Sequence, residues 1–279
     1  MDRSTDAEPL HDRVAEAASL VGRRVGVEFD SADILALGRR TVIRLLPAPV
    51  VAKVAAGSCY RALEREVAVA RHVAMAGGPA DPPLDSLAVG PHREAEFAVT
   101  LWRYFPALTP PLDIEAGTSS YLQLREALDS YAGDLPDYAV PILECARALR
   151  SGSVPRLTAS QMDLLRRVLD AAPDRMAARD AVSRPLHGDP HLGNLLFTKD
   201  GPLWLDFESA CRGPIEWDLS AFSESGLLPR HDAAALTVLR QVRSACVVVW
   251  CICKDHPSIK DQEAAAFHIA QLEGTRLGG

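Results

Sequence analysis

The densest run of reactive residue types is His187-Gly188-Asp189-Pro190-His191-Leu192-Gly193-Asn194, followed after an apolar stretch by Leu205-Asp206-Phe207-Glu208. Asp200-Gly201 falls midway between two apolar runs and suits a tight hairpin turn. A ribbon symmetric about Asp200 puts Asn194 opposite Asp206, so that an amide oxygen and a carboxylate converge beside Asp189. Mg²⁺ takes hard oxygen ligands and needs one or two protein side chains when nucleotide phosphates and waters fill the rest of its shell. Asp189 then stays free to orient a hydroxyl and take its proton as the oxygen attacks phosphorus, while the metal neutralises phosphate charge. A polar loop with a solvated hairpin is the bland alternative. It accounts for Lys199 and Asp200 but not for Asp206 inside Leu-Trp-Leu-Asp-Phe, where an unpaired buried carboxylate is costly.

Lysine usage gives a second, independent clue. The chain has four lysines, and Lys199, Lys254 and Lys260 are each followed by Asp in polar surroundings. Lys53 instead lies inside Val-Val-Ala-Lys-Val, where a compact ammonium could hold nucleotide phosphates. Such a cation needs an anionic partner. On the following helix Leu63, Val67, Ala70 and Ala74 form an apolar stripe with Glu66 at its flank, whereas Glu64 points away, so Glu66 is the expected partner. The competing reading has Lys53 snorkelling from an edge strand and Glu66 as one more surface acid.

These positions resemble the aminoglycoside phosphotransferase and choline kinase branch of the protein-kinase-like fold, in order and spacing from about residue 35 to 225. His187 to Asn194 matches that family's catalytic loop, and Leu205-Asp206-Phe207-Glu208 stands where its metal-binding segment stands. The resemblance implies an ATP- or GTP-dependent kinase with Mg²⁺ held by Asn194 and Asp206, and with Asp189 as catalytic base. It makes Lys53 the phosphate lysine, Glu66 its helix partner, and Leu101, Trp102, Arg103 and Tyr104 the hinge that hydrogen-bonds the base. It also makes Asp218, in Gly213-Pro-Ile-Glu-Trp-Asp218-Leu, a prop for the catalytic loop, with His187 bracing the same loop. Family acceptors include aminoglycosides, macrolides, choline-like alcohols, sugars and homoserine-like metabolites, so the implied partner is a small hydroxyl compound, cationic or sugar-like. One departure is plain: before Val42 only Gly38 appears, in Leu37-Gly38-Arg39-Arg40-Thr41, where the family has a glycine-rich phosphate loop. Arg39 or Arg40 could compensate, or both could be exposed arginines at a turn.

Two other chemistries compete. His187 and His191 form a His-x-Asp-x-His set that could serve a metal-dependent hydrolase, although no second cluster nearby completes such a site. A catalytically silent relative could bind nucleotide or a partner through the same fold. Cys246, Cys251, Cys253 and His256 match no common zinc spacing and read as helix thiols. Glu208 has two readings, a contact to a second Mg²⁺ or a cap on the hairpin.

The elements that must position these residues follow from periodicity. Residues 9–21 read as an amphipathic helix, 41–46 and 50–54 as a hairpin, Ser58 to Ala76 as a helix, and 97–102 as a strand. A break at Thr109-Pro110-Pro111 follows. Helices are expected over 121–131, 138–150, 160–171 (capped by Ser160 with Asp163), 231–253 and 260–273, around a β-prone island at 195–207. The expected architecture is α+β and bilobal, with a nucleotide-binding lobe at 1–103 and a catalytic and acceptor-binding lobe at 104–279.

Composition narrows the partners. A net charge of -7 disfavours nucleic acid or an anionic membrane as the main partner. No unbroken apolar run approaches the roughly 18 residues of a membrane helix. Six scattered cysteines make a poor disulfide framework, and the acidic opening stretch is unlike a secretory signal. Both point to the cytoplasm.

Overall fold

A computed structural model describes residues 7–38, 40–81, 84, 87–108, 114–152, 154, 156–177, 182–222, 229–253 and 257–274. In chain order the elements are α1 (Ala7–Arg24), β1 (Ser31–Ala36), β2 (Arg40–Leu46), β3 (Val50–Ala56), α2 (Tyr60–Met75), β4 (His92–Glu94), β5 (Phe97–Arg103) and α3 (Ile114–Asp129). They continue with α4 (Ala139–Arg150), α5 (Ala159–Ala177), β6 (Arg184–Leu186), β7 (Leu195–Thr198), β8 (Gly201–Trp204), β9 (Cys211–Gly213), α6 (Ile215–Leu219), α7 (Ala233–Ile252) and α8 (Ile259–Gly274). The break expected at Thr109-Pro110-Pro111, and the expectations for Arg39, Lys254 and His256, lie outside the described residues. The chain forms two compact units, Met1–Ala132 with Leu192–Ala210, and Gly133–His191 with Cys211–Gly279.

The first unit is built on an antiparallel five-stranded sheet of order β1-β2-β3-β5-β4. Alternation in β2 and β3 decides its two faces. Ile43, Leu45, Val50, Ala52 and Val54 turn to one side and bury against Val14, Ala17, Ala18 and Val21 of α1, with Leu101 from β5. Each valine, leucine or isoleucine among them contributes roughly 1.5–3 kcal/mol when fully buried. The intervening residues, Val42, Val51 and Lys53, face the other way and line a cavity. Strands β1 and β4 were not expected. β1 is a mostly exposed edge whose Ser-Ala-Asp-Ile-Leu-Ala shows no alternation, and β4 is only three residues long, so backbone pairing with β2 and β5 defines them more than side-chain pattern.

The β7–β8 hairpin packs in this unit against α3. Trp204 is fully buried, donates from Nε1 to Ser120 Oγ at 3.1 Å, and meets the Tyr121 ring edge-on at 6.2 Å. Gly117 permits the close approach, since a Cβ there would stand 2.8 Å from Leu192 Cδ2. The hairpin register differs by one residue from the symmetric expectation. Lys199 and Asp200 form the turn between Thr198 and Gly201, and Leu195 pairs with Trp204, so Asn194 falls beside Leu205 rather than Asp206.

In the second unit α4, α5, α7 and α8 share a core that includes Leu149, Leu165, Leu239, Val242, Cys246 and Leu272. α5 is capped two residues earlier than expected: Thr158 and Gln161 exchange backbone-to-side-chain bonds at 3.0 and 3.3 Å, a capping box at the helix start. It also runs past the expected end at 171, through Pro173 to Ala177, because Leu169, Ala172 and Met176 continue its buried stripe. α7 is long and apolar enough to cross a membrane by length and composition, with a mean hydropathy of 1.5, yet 67% of that window is buried in the fold. Asp232 caps it, accepting from Ala234 and Ala235 N–H. No disulfide links the six cysteines.

Candidate active site

Lys53 projects from β3 opposite Val42 of β2 and Thr100 of β5. Its Nζ donates to Glu66 Oε1 at 2.6 Å and to Asp206 Oδ1 at 2.7 Å. α2 supplies Glu66 from the edge of its buried stripe, at 3% exposure, whereas Glu64 lies outward and pairs with Arg61. Burial works against the charge on Lys53, but the two carboxylates outweigh it and hold the lysine pKa above its ordinary value. Burial also pushes the Glu66 pKa up, and Lys53 only partly offsets this because its one ammonium is shared with Asp206. The directions agree: two carboxylates compete for one cation. Glu66 Oε2 is buried with no hydrogen-bond partner.

Asp206 reaches this position through its backbone. It follows β8 with φ 68° and ψ 53°, a left-handed conformation that a non-glycine residue adopts only where its surroundings impose it. The turn takes its carboxylate out of the strand alternation and toward Lys53, while Leu205 N–H bonds Asn194 O at 2.8 Å. Two residues on, Glu208 pairs with Arg40, and Arg65 Nε donates to Glu208 O at 3.0 Å. Ligand oxygens of Glu66, Asp206 and Glu208 lie within 4.8 Å of one another, a spacing suited to a metal ion. No histidine belongs to this group among the described residues.

A cavity of about 360 Å³ adjoins these groups, within the usual size range of small-molecule sites. Trp102, Arg103 and Tyr104 line it, and so does Phe105. Leu101 does not: it is buried on the α1 side of the sheet, and its N–H donates to Val89 O at 2.9 Å. Tyr104 N–H is likewise taken, by Pro49 O at 2.8 Å, and its ring carries the Arg44 guanidinium at 3.8 Å. Asp81, 4% exposed, stands in the same wall with Oδ1 lacking a hydrogen-bond partner. Burial raises its pKa to about 7, against the opposing charge and backbone N–H of Arg103.

Asp189 belongs to the second unit. After β6 the chain turns at Gly188, whose φ of 88° favours glycine, and two backbone groups there are held by one carboxylate. Asp218, 1% exposed, accepts His187 N–H at Oδ2 (3.0 Å) and Gly188 N–H at Oδ1 (2.8 Å). His187 is fully buried, and its Nδ1 accepts Asp189 N–H at 3.3 Å, so it serves the loop. His191 Nε2 lies 3.6 Å from Asp189 Oδ2.

Arg243 of α7 was not singled out from the sequence. At 4% exposure it donates to Asp189 Oδ1 at 3.1 Å, Gly188 O at 2.9 Å, Trp217 O at 2.8 Å and Ser220 Oγ at 2.7 Å, and it stacks on Trp217 at 4.0 Å. The signal was present: a cation between Leu239 and Cys246 on a buried helix face is as anomalous as Lys53 in its strand.

The sheet with its lysine strand, the glutamate helix and the Asp189 loop that precedes a hairpin together have the α+β architecture of protein-kinase-like phosphotransferases. The Phosphotransferase enzyme family matches residues 36–244, and the chain belongs to that family, a small-molecule kinase by class. Among solved structures it is similar to a choline/ethanolamine kinase family protein from Mesorhizobium loti, at 17% identity and TM-score 0.65, covering 95% of this chain and 94% of the other. It is also similar to the choline kinase LicA from Streptococcus pneumoniae, at 14% and 0.64, covering 98% and 100%. A spectinomycin phosphotransferase in complex with ADP and spectinomycin gives 11% and 0.64, covering 93% and 97%. No match was found among the curated proteins.

Proposed function

We propose that the enzyme moves the γ-phosphoryl group of ATP or GTP onto a hydroxyl of a small molecule, aminoglycoside-like or another cationic or sugar acceptor. The observation that carries this reading is the Lys53 ammonium bonded to both Glu66 and Asp206 at the edge of a cavity lined by the Trp102–Tyr104 segment. In the spectinomycin enzyme a related fold binds ADP and an antibiotic.

The nucleotide lobe of residues 1–103 binds the base against Trp102, Arg103 and Tyr104. With Leu101 and Tyr104 N–H both engaged, the donor to the base passes to Phe105. Lys53 turns its ammonium to the phosphates, and Glu66 holds that ammonium in place. Mg²⁺ fits the donor set, because the Glu66, Asp206 and Glu208 oxygens are close together and Asn194 adjoins Leu205-Asp206 through its carbonyl. Asn194 and Asp206 would hold the ion, Glu208 could assist, and the ion when bound neutralises phosphate charge.

Asp189, in the lobe of residues 104–279, orients the acceptor hydroxyl and takes its proton, with Oδ1 held by Arg243. Transfer is direct and in line, with no phosphoenzyme. Asp218 and His187 keep the loop in shape. Consumption of nucleotide and an acidic chain both suit the cytoplasm. The test is a thermal-shift titration with ATP and MgCl₂ on the native chain and on Asp189→Asn, paired with transfer assays against hydroxyl acceptors. Metal-dependent stabilisation of both proteins, with turnover in the native one alone, supports the reading. Nucleotide stabilisation without transfer to any acceptor favours a silent relative.

A further inference from the structure

Among the described residues before β2, Gly38 is the one glycine where a backbone cradle over a triphosphate is expected. Gly38 is not among the glycines with positive φ, and a Cβ there would meet nothing nearer than Arg40 O at 3.6 Å. The residue that opens β2 offers charge instead. Val42 stands opposite Lys53, and residues 40, 42 and 44 share a strand face, so Arg40 lies on the cavity side with the lysine. It is not an exposed turn arginine. Its side chain is 9% exposed and paired with Glu208 at 16%, and its charge also reaches Glu66.

We propose that Arg40 is a phosphate-binding residue that Glu208 occupies until a nucleotide arrives, taking the place of a glycine-rich loop. This deepens the kinase reading and rests on it. The physical case is an exchange of like for like. A guanidinium that gives up a carboxylate for phosphate oxygens keeps a charge-assisted pair, so its release has little net cost. Glu208 is freed beside Asp206, where an incoming cation needs oxygen donors, and Arg65 keeps the Glu208 carbonyl in place throughout. Lys53 then shares the phosphates with a second cation from the neighbouring strand.

Binding of ATP, ADP and adenosine, measured by calorimetry on the full chain with and without Mg²⁺, tests the exchange. Arg40→Gln is expected to weaken ATP by about tenfold or more, leave adenosine unchanged, and be partly restored as Arg40→Lys. In EDTA, Glu208→Gln is expected to tighten ATP, because the arginine is no longer held back. Tight native ATP binding that Arg40→Gln leaves unchanged, equal loss of ATP and adenosine, or no gain from Glu208→Gln each overturns the proposal alone. A native chain that binds none of the three ligands overturns the nucleotide reading and this proposal with it.

Discussion

Arg243 donates from Nη1 to Asp189 Oδ1 at 3.1 Å, joining a buried helix to the carboxylate assigned as base. The same guanidinium holds Gly188 O and Trp217 O, so one side chain fixes both the acid and the backbone that presents it. It acts through Asp189 and is therefore a positioning residue. Arg243→Lys keeps the charge but loses the fork, and is expected to lower kcat by about 10–100-fold with nucleotide Kd unchanged. Steady-state kinetics beside equilibrium binding check this. Equal effects on kcat and Kd would mark a general loss of structure.

Lys53 and Glu66 make a pair whose members differ in what their loss exposes. Lys53→Met strands the buried Glu66 and is expected to cost about 3 kcal/mol of stability. Lys53→Met with Glu66→Leu should recover most of that loss, since a well-packed apolar pair has no charge to desolvate. Urea denaturation measures the recovery. Transfer activity should stay down by about 100-fold or more in both proteins, because both lack the Lys53 ammonium at the phosphates.

Asp81 gives a pH dependence of stability with a definite sign. Its pKa is raised from 3.8 to about 7, so the folded chain retains a proton that the unfolded chain releases between those values. Its contribution is fully present below pH 3.8 and is lost as pH rises through 7, at a limiting slope of about 1.4 kcal/mol per unit. Urea midpoints across this window should fall more steeply for the native chain than for Asp81→Asn. Parallel profiles would show that the carboxyl does not titrate as assigned.

Asp206 and Asn194 should differ in metal sensitivity from Asp189. Asp206→Asn is expected to raise the Mg²⁺ concentration needed for half-maximal transfer by about tenfold or more, as a charged ligand is lost. Asp189→Asn should leave that concentration unchanged while lowering the plateau. Magnesium titration of the transfer rate separates the two roles.

Much of the site is legible in the sequence because its residues violate their surroundings. Lys53 interrupts a valine strand, Asp206 interrupts an apolar one, and both lead to the same ion-paired cluster. The hairpin register was not legible to the residue, since Lys199-Asp200 and Asp200-Gly201 are both acceptable turn pairs. A one-residue slip ordinarily reverses every side chain. Here the left-handed backbone at Asp206, which no local pattern announces, restores the contact with Lys53. Arg65 and Arg243 were missed, and Arg40 was left with two readings, for another reason: each is one arginine among twenty-six, and only the folded chain shows which have lost their water. Edge strands β1 and β4 escaped because paired backbone, without a buried face, leaves little trace in residue order.

The central claim is transfer of a phosphoryl group from nucleotide to hydroxyl with Asp189 as the base. Its most direct test follows γ-labelled ATP with Mg²⁺ and a panel of cationic and sugar hydroxyl compounds, using the native chain and Asp189→Asn at matched nucleotide occupancy. Label should appear on an acceptor with the native chain and fall by about 10²–10⁴-fold in the variant, with nucleotide binding retained. Label transfer at the native rate by Asp189→Asn would contradict the account.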